Sequence, residues 1–318
     1  MTDSAPPIDR VAVVGAGTMG YGLAVQCALE GCVVTLTDHR EANLDRAAER
    51  VGAAVEFLSE AGRTGRRPES VLGTIGGTTD RADAVADAGI VLETVSEDLA
   101  VKREVVGDVA AHAPDDAILA SNTSGLPVTA LAEGVPDAAD RVVGCHWWNP
   151  PYLLRPVEVV RGEATSDRTV ERTRAFVESV DRDPVLVERD VPGFVWNRVQ
   201  FAVLRECAHL VREGVASVED VNRAVRDGYA RRTAVVGPFE TVDLAGLELF
   251  ATIASDLYPH LADDDGPGTE FAERIDAGKT GVRAGEGFFA YDESEDAVVE
   301  RRDERLADLA ELLDDEEE

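Results

Sequence analysis

The stretch VAVVGAGTMGYGLAVQCALEGCVVTLTD, residues 11–38, decides the fold of the first half of the chain. It begins with a short apolar run, Val11–Val14, that is typical of a buried β-strand. A helical pattern over Thr18–Glu30 follows, and a second apolar run, Val33–Leu36, comes next. The order strand, helix, strand predicts one βαβ unit with its two strands parallel.

The turn between the first strand and the helix carries the spacing G-x-G-x-x-G, at Gly15, Gly17 and Gly20. In this context the first glycine allows a tight turn, the second lets a pyrophosphate approach the backbone, and the third lets the helix pack on the strand. The helix N-terminus offers unpaired N–H groups to the phosphates. An acid after the second strand would accept hydrogen bonds from the hydroxyls of the adenosine ribose and would repel a 2′-phosphate, which predicts NAD rather than NADP. Arg40 is close by, and its positive charge would favour a 2′-phosphate. The predicted dinucleotide site consists of Gly15, Gly17, Thr18, Met19, Gly20 and Asp38.

The alternation of strands and helices continues to about residue 190. Further strands are predicted at Ile90–Val95, Ala117–Ala120, Val142–Cys145, Pro156–Val160 and Val185–Glu188. Helices are predicted at Glu41–Ala61 and Asp167–Val180, and residues 62–77 are predicted to form a loop. This pattern indicates an α/β fold with a Rossmann-type, doubly wound and mostly parallel sheet over residues 1–190.

The pattern changes after Asp190, where Val191-Pro192-Gly193 interrupts it. Residues 194–280 show helical periodicity, and Phe194 and Phe201 are predicted on one face of a long first helix. A last amphipathic helix is predicted over Arg301–Leu313, before an acidic tail. We therefore expect an all-helical second domain over residues 191–318.

The composition excludes some classes of partner. The chain has 318 residues, with 62 acidic and 31 basic side chains and a net charge of −31. Nucleic acid and anionic membranes would be repelled by this charge. Only two of the basic residues are lysines, Lys102 and Lys279. We interpret this composition as adaptation to concentrated salt, where a Debye length of roughly 3 Å at 1 M suppresses self-repulsion.

Three further features bear on location or metal binding. Residues 11–29 carry no charge, but four glycines interrupt them, so a strand and a helix are predicted rather than a membrane span. The first nine residues carry acid and no base, which predicts no signal peptide. The four cysteines form neither a CxxC motif nor a metal-ligand spacing, so no metal is expected. A reducing, cytoplasmic location is the simplest expectation.

A dehydrogenase needs a group that takes the hydroxyl proton, and histidine is well suited to this role. His146 differs from the other four histidines because it ends the predicted strand Val142–Cys145, and ligands bind beyond the carboxyl ends of such strands. Twelve residues later, Glu158 interrupts an apolar strand and needs a partner if it faces the interior. A histidine–carboxylate pair satisfies both residues. The spacing alone also fits, and slightly favours, a core histidine and an edge-strand glutamate that faces water.

Seven stretches together resemble the L-3-hydroxyacyl-CoA dehydrogenase family, including 3-hydroxybutyryl-CoA dehydrogenases, over nearly the full length. They are GAGTMGYGLA (15–24), ETVSEDLAVK (93–102), ASNTSGL (120–126), HWWNPPYLLRPVEV (146–159), PGFVWNR (192–198), GPF (237–239) and GEGF (285–288). The order and combination of these motifs are specific to the family.

The resemblance implies a role for each matching residue. It implies that His146 is the catalytic base and that Glu158 is its partner. It implies that Ser124 and Asn197 hold the substrate oxygen, with Ser124 also near the nicotinamide. The further cofactor-side residues that it implies are Glu97, Lys102, Asn149 and, where the family usually has lysine, Arg283.

The match departs from the family at the substrate end. Trp147-Trp148 replaces two phenylalanines, which would narrow the acyl pocket. The small polar residue and the lysine that meet CoA in the family fall on Ala54 and Ala61, although Arg63, Arg66 and Arg67 follow. The C-terminal sequence RRDER, residues 301–305, resembles the tail of carnitine and gulonate dehydrogenases, which oxidise free 3-hydroxy acids.

Three hypotheses follow. The resemblance implies NAD-dependent oxidation of a short-chain (S)-3-hydroxyacyl-CoA to the 3-oxoacyl-CoA, in fatty-acid or butanoate metabolism. It also implies a homodimer, with the helical domain over residues 191–318 serving substrate binding and dimerisation. The alternative within the same chemistry is a dehydrogenase of a free 3-hydroxy acid. The alternative from another class is a non-catalytic NAD-binding protein, which the joint presence of Ser124, His146, Glu158 and Asn197 disfavours.

Overall fold

The computed structural model describes residues 7–314 of the chain and shows two compact units. One unit ends at Arg198 and the other begins at Val199. The first is an α/β unit built on an eight-stranded sheet, and the second contains helices and short turns. The division lies beyond the predicted boundary at residue 190 because residues 195–197 hydrogen-bond to Glu158 of the sheet and to the loop at Ser124.

The strands of the sheet are short and largely apolar. They are β1 (Arg10–Val14), β2 (Val33–Thr37), β3 (Ile75–Thr78), β4 (Ile90–Glu93), β5 (Ile118–Ser121), β6 (Val142–Trp147), β7 (Pro156–Val160) and β8 (Asp183–Val187). Their spatial order is β3-β2-β1-β4-β5-β6-β7-β8. Six of these neighbouring pairs are parallel and the pair β6–β7 is antiparallel. The sheet is therefore the predicted mostly parallel, doubly wound type.

The helices of the first unit connect these strands. They are α1 (Thr18–Leu29), α2 (Glu41–Glu60), α3 (Pro68–Leu72), α4 (Arg81–Val85), α5 (Leu99–His112), α6 (Val128–Ala132) and α7 (Asp167–Ser179). Side chains of α4, α5 and α6 pack with Ala12, Val91 and Leu119 in one buried cluster. The alternating residues Val11 and Val13 are buried as well, so the sheet is covered on both faces.

The second unit begins within a long helix. Its helices are α8 (Trp196–Arg212), which starts in the first unit, α9 (Val218–Ala224), α10 (Arg231–Thr233), α11 (Pro238–Ala245), α12 (Leu247–Leu257), α13 (Thr269–Asp276) and α14 (Glu295–Asp314). Arg212 joins α8 to the segment before α13 through an ion pair with Asp264, and to α13 itself through one with Glu270. No helix among residues 7–314 combines the length and the apolar character that a membrane crossing requires.

Three sequence predictions differ from the structure. The predicted loop 62–77 contains α3 and most of the edge strand β3, which pairs with β2 although two glycines weaken its strand signal. Phe194 lies before α8 in a left-handed conformation, with φ of 49°, and is buried. The last helix begins at Glu295 rather than Arg301. The predicted tail beyond Asp314 lies outside the described residues.

Candidate active site

The glycine turn stands at the carboxyl end of β1. Gly15 has a φ of 109°, which favours glycine, and its N–H donates to the Thr37 carbonyl at 2.8 Å. A Cβ at Gly20 would overlap the carbonyl oxygen of Gly15, whereas a Cβ at Gly17 would meet no atom within 4 Å. Gly20 therefore serves the packing of α1, and the space beside Gly17 remains open for a ligand.

Asp38 follows β2 and faces this turn. Its Oδ2 accepts from the Ala16 N–H at 3.0 Å, and its Oδ1 accepts from the Arg40 N–H at 3.0 Å and from Asn43 Nδ2 at 2.7 Å. Partial burial acts to raise the pKa of Asp38, but these hydrogen bonds outweigh it and hold the pKa below its usual range. The carboxylate is therefore charged at neutral pH.

This arrangement fits a dinucleotide. Gly17 caps α1 without any side-chain hydrogen bond, so the first-turn N–H groups are left for phosphate oxygens. Gly17 and Thr18 are exposed, and Met19 is half-buried. The open space at Gly17 and the charged Asp38 supply the two contacts that a pyrophosphate and a ribose diol need.

A buried ion pair lies at the carboxyl end of β4. Lys102 and Glu93 are 1% and 3% exposed, and Lys102 Nζ donates to Glu93 Oε1 at 2.8 Å. Ser121 Oγ donates to Glu93 Oε2 at 2.6 Å, and the Val95 N–H donates to Glu93 Oε1 at 2.7 Å. Lys102, predicted beside the cofactor, thus has its ammonium directed at protein oxygens, including that of Glu97 at 3.4 Å.

Glu97 connects two loops at this edge of the sheet. Its Oε1 accepts from Thr123 Oγ1 at 2.6 Å, from the Ser124 N–H at 2.8 Å and from the Gly125 N–H at 3.2 Å. Partial burial acts to raise the pKa of Glu97, but the Thr123 hydroxyl, the Lys102 charge and the Ser124 N–H outweigh it, so the pKa lies below its usual range. Glu97 thereby positions the loop that carries Ser124.

His146 and Glu158 form a buried pair. They stand directly opposite each other in the register of β6 and β7. His146 Nδ1 lies 2.6 Å from Glu158 Oε2, and the two residues are 5% and 0% exposed. Because the carboxylate can only accept, Nδ1 carries the proton and Nε2 presents a lone pair. The structure thus brings together the two residues that the sequence singled out.

The segment that precedes α8 completes this pair. The N–H groups of Val195 and Trp196 donate to Glu158 Oε1 at 2.8 and 3.0 Å. Burial acts to raise the pKa of Glu158, but the hydrogen bond from His146 and these two N–H groups outweigh it and hold the pKa below its usual range. The Phe194 ring packs edge-on against the His146 ring, with 5.8 Å between centroids.

The two tryptophans after His146 have different surroundings. Trp147 is 2% exposed, and its Nε1 donates to Cys145 Sγ at 3.2 Å, while its backbone N–H donates to Asn122 Oδ1 at 2.8 Å. Trp147 therefore belongs to the core and does not narrow a substrate pocket. Trp148 is half-buried and stacks on Trp196.

The remaining predicted residues fall in two places. Asn197 Nδ2 donates to the Ser124 carbonyl at 2.7 Å, which brings those two residues together, and the side chain of Ser124 is exposed. Asn149 is exposed three residues after His146. Arg283 lies in the second unit, where its guanidinium donates to Glu295. No group of three potential metal-ligating side chains occurs within the described part of the chain.

Comparisons with known proteins identify the family of the chain. The model of the 3-hydroxyacyl-CoA dehydrogenase NAD-binding domain matches residues 10–191, and the model of the C-terminal domain matches residues 193–291. The chain belongs to the 3-hydroxyacyl-CoA dehydrogenase family. It is an NAD-dependent oxidoreductase of this family.

Individual relatives within the family carry different names. The chain is 36% identical to 5-formyl-3-hydroxy-2-methylpyridine 4-carboxylate 5-dehydrogenase of Mesorhizobium japonicum, covering 96% of this chain and 99% of the relative. The crystal structure of a protein with that name, described as an NAD⁺-dependent dismutase, superposes with a TM-score of 0.90, at 36% identity and with coverage of 96% and 99%. A probable 3-hydroxybutyryl-CoA dehydrogenase of Deinococcus radiodurans is 35% identical, with coverage of 89% and 100%. L-carnitine dehydrogenase of Oceanobacillus iheyensis is 31% identical, with coverage of 96% and 98%.

Sequence reasoning missed several residues that support the candidate site. Glu93 supports Lys102, Asn122 holds Trp147, and the backbone of Val195 and Trp196 holds Glu158. A lone acid within or at the end of an apolar strand was a signal for Glu93, as it was for Glu158. Backbone donors carry no side-chain signal, so nothing in the sequence pointed to the contacts of residues 195 and 196.

Proposed function

We propose that the chain oxidises the C3 hydroxyl of a hydroxy acid to a ketone, with His146 as the general base. The single observation that carries this proposal is the 2.6 Å contact between His146 Nδ1 and Glu158 Oε2. It sets the tautomer in which Nε2 accepts a proton, at the sheet edge where the glycine turn and Asp38 fit NAD.

The chemistry divides between the cofactor and the protein. When bound, NAD supplies the hydride acceptor for the C3 hydrogen. His146 Nε2 accepts the hydroxyl proton, and Glu158 stabilises the imidazolium that results. We assign Ser124 and Asn197 to the substrate oxygen, where such donors are worth a few kcal/mol each in the transition state. Asn149 and Glu97 are assigned to the cofactor side, and Lys102 acts there through Glu97. The resemblance assigns Arg283 to the cofactor as well.

The resemblance implies a CoA thioester as the substrate, and two observations favour a free hydroxy acid instead. The structure named for a pyridine carboxylate superposes with a TM-score of 0.90, whereas the structures named 3-hydroxybutyryl-CoA dehydrogenase of Escherichia coli and 3-hydroxyacyl-CoA dehydrogenase of Archaeoglobus fulgidus superpose at 0.74 and 0.68. On α2, the position expected to carry a polar CoA contact is Ala54, which is buried, and the lysine position is Ala61.

One observation keeps the (S)-3-hydroxyacyl-CoA as a second candidate. Arg66 and Arg67 are exposed and Arg63 is half-buried, directly after α2, where guanidinium groups suit phosphate. A short-chain substrate of this kind would place the enzyme in fatty-acid or butanoate metabolism.

A substrate panel tests the proposal. Purified protein in concentrated KCl is assayed for NADH oxidation with acetoacetyl-CoA, and for NAD reduction with free 3-hydroxy acids that include carnitine and gulonate. We expect turnover with a free acid, and its loss in His146→Gln. Faster turnover with acetoacetyl-CoA, lost on changing Arg63, Arg66 and Arg67 to Ser, would support the CoA candidate. NAD binding without turnover across the panel would contradict both.

We propose a homodimer as the assembly. Large apolar side chains of the second unit are exposed, among them Phe239 at 84%, Leu244 at 79% and Leu247 at 62%. Monomeric proteins rarely expose large apolar patches, so exposed side chains of this kind favour a second copy that covers them. Light scattering in concentrated KCl should report twice the mass of the chain, and Phe239→Ser with Leu244→Ser should lower it. We further propose a cytoplasmic location, since the described cysteines are free thiols.

A further inference from the structure

Two tryptophans form a stack beside the candidate catalytic pair. The rings of Trp148 and Trp196 lie 3.9 Å apart between centroids, at an interplanar angle of 23°. Trp148 lies two residues after His146 in the chain, and the backbone N–H of Trp196 donates to Glu158 Oε1. The main chain therefore connects Trp148 to His146, and a backbone hydrogen bond connects Trp196 to Glu158.

The stack is the contact that holds Trp148. Trp148 Nε1 is buried and has no hydrogen-bond partner among residues 7–314. The neighbouring Trp147 is held differently, because its Nε1 donates to Cys145 and its N–H to Asn122. Trp148 thus gains its position from aromatic packing rather than from a polar contact.

The segment that presents the two N–H groups to Glu158 needs such support. Gly193 has a φ of 78° and Phe194 has a φ of 49°. A bulky residue in the left-handed region persists only where its surroundings hold it there. Phe194 is buried against the His146 ring on one side of this segment. Trp196 is 36% exposed, and its stack on Trp148 secures the other side.

We propose that the Trp148–Trp196 stack is a positioning device for the general base. It holds the N–H groups of Val195 and Trp196 on Glu158 Oε1, which leaves Oε2 aligned with His146 Nδ1. Because the role of His146 as base belongs to the proposed function, the effect on turnover rests on that proposal. The effect on the hydrogen bond between His146 and Glu158 does not.

The test compares three variants by two measurements. Trp196→Ala removes the stack, Trp196→Phe keeps an aromatic partner, and Leu186→Ala truncates an apolar residue of β8 with 37% exposure as a matched control. Proton NMR in water follows the Nδ1 proton of His146, which a short bond to a buried carboxylate shifts downfield and protects from exchange. His146→Gln assigns this resonance by its absence.

We expect the Trp196→Ala variant to lose or broaden the resonance. Its turnover with the substrate found in the panel should fall about tenfold to a hundredfold, as for a misplaced catalytic group, at unchanged KM for NAD. Trp196→Phe and Leu186→Ala should keep both properties near those of the wild type. If Trp196→Ala does not fold, Trp196→Leu takes its place, because it keeps apolar volume without an aromatic face.

The outcomes separate this proposal from the proposed function. An unchanged resonance in a folded variant without the stack, with or without a lower melting temperature, would overturn the positioning role. Loss of the resonance in Trp196→Phe as well would also overturn it, since the aromatic partner would then not suffice. Absence of turnover in the wild type would overturn the proposed function alone, and the resonance would still decide the role of the stack.

Discussion

Glu158 stands directly opposite His146 across the antiparallel strands β6 and β7, and their side chains meet at 2.6 Å. The other six pairs of neighbouring strands are parallel. Residues that face each other on parallel strands are far apart in the chain, because a crossover connection separates the strands. The reversal of β7 is what lets two residues only twelve positions apart face each other. The carboxylate is also held from the far side by two backbone N–H groups.

The first prediction concerns this pair. His146→Gln should lower kcat by about 10² to 10⁴, the usual contribution of general-base catalysis, while NAD affinity stays the same. Glu158→Gln should lower kcat in the same direction. The double variant should cost little more than His146→Gln, because the two residues act as a unit. A loss below about tenfold in His146→Gln would contradict the role of the base.

The glycine turn offers a matched pair of substitutions. Gly20→Ala should destabilise the protein by about 1–3 kcal/mol, because the new methyl group meets the backbone oxygen of Gly15. Gly17→Ala meets open space and should cost about 1 kcal/mol or less. It should nevertheless weaken NAD binding at least about tenfold, because the methyl group occupies the approach of the pyrophosphate. Chemical unfolding and calorimetric titration with NAD measure the two effects, and equal NAD affinity in Gly17→Ala would refute this assignment.

Asp38 should contribute to stability in a pH-dependent way. Its pKa in the folded protein lies below the ordinary value, so its contribution is complete above about pH 4 and is lost as the pH falls through the folded value. The difference in unfolding free energy between wild type and Asp38→Asn should be constant near neutrality and shrink on acidification. At neutral pH the variant should also bind NAD more weakly and discriminate less against NADP. A stability difference that grows towards acid would have the wrong sign.

The buried ion pair between Lys102 and Glu93 should be costly to break. Lys102→Met leaves Glu93 buried without its cation, and loss of one partner of a buried pair typically costs about 3–5 kcal/mol. Lys102→Met combined with Glu93→Gln should recover part of this loss, which a double-mutant cycle of urea unfolding measures. Additive effects of the two changes would mean that the pair has no coupling energy.

Salt should stabilise this protein. With a net charge of −31, self-repulsion in dilute buffer is strong, and a Debye length of roughly 3 Å at 1 M removes most of it. The melting temperature should therefore rise steeply between millimolar and molar KCl. Full stability in millimolar salt would contradict the interpretation of the composition.

The limits of sequence reasoning show at particular residues. Alternating apolar runs and the glycine spacing were enough to predict β1, α1 and β2, because buried parallel strands and a close helix–strand contact demand those residue types. The edge strand β3 was missed because Gly76 and Gly77 are typical of a turn. Lys102 was matched to the cofactor, but its burial against Glu93 depends on how α5 packs on the sheet.

The sequence by itself determined the dinucleotide turn, the acid after the second strand and the family of the chain, because short-range spacing and backbone freedom specify these features locally. It also singled out His146 and Glu158. Only the tertiary structure decided that these two residues meet, that the backbone of residues 195 and 196 holds the carboxylate, and that Trp148 stacks on Trp196. Those contacts arise from strand direction and from a left-handed segment before α8, and such long-range geometry is not written in the local order of residue types.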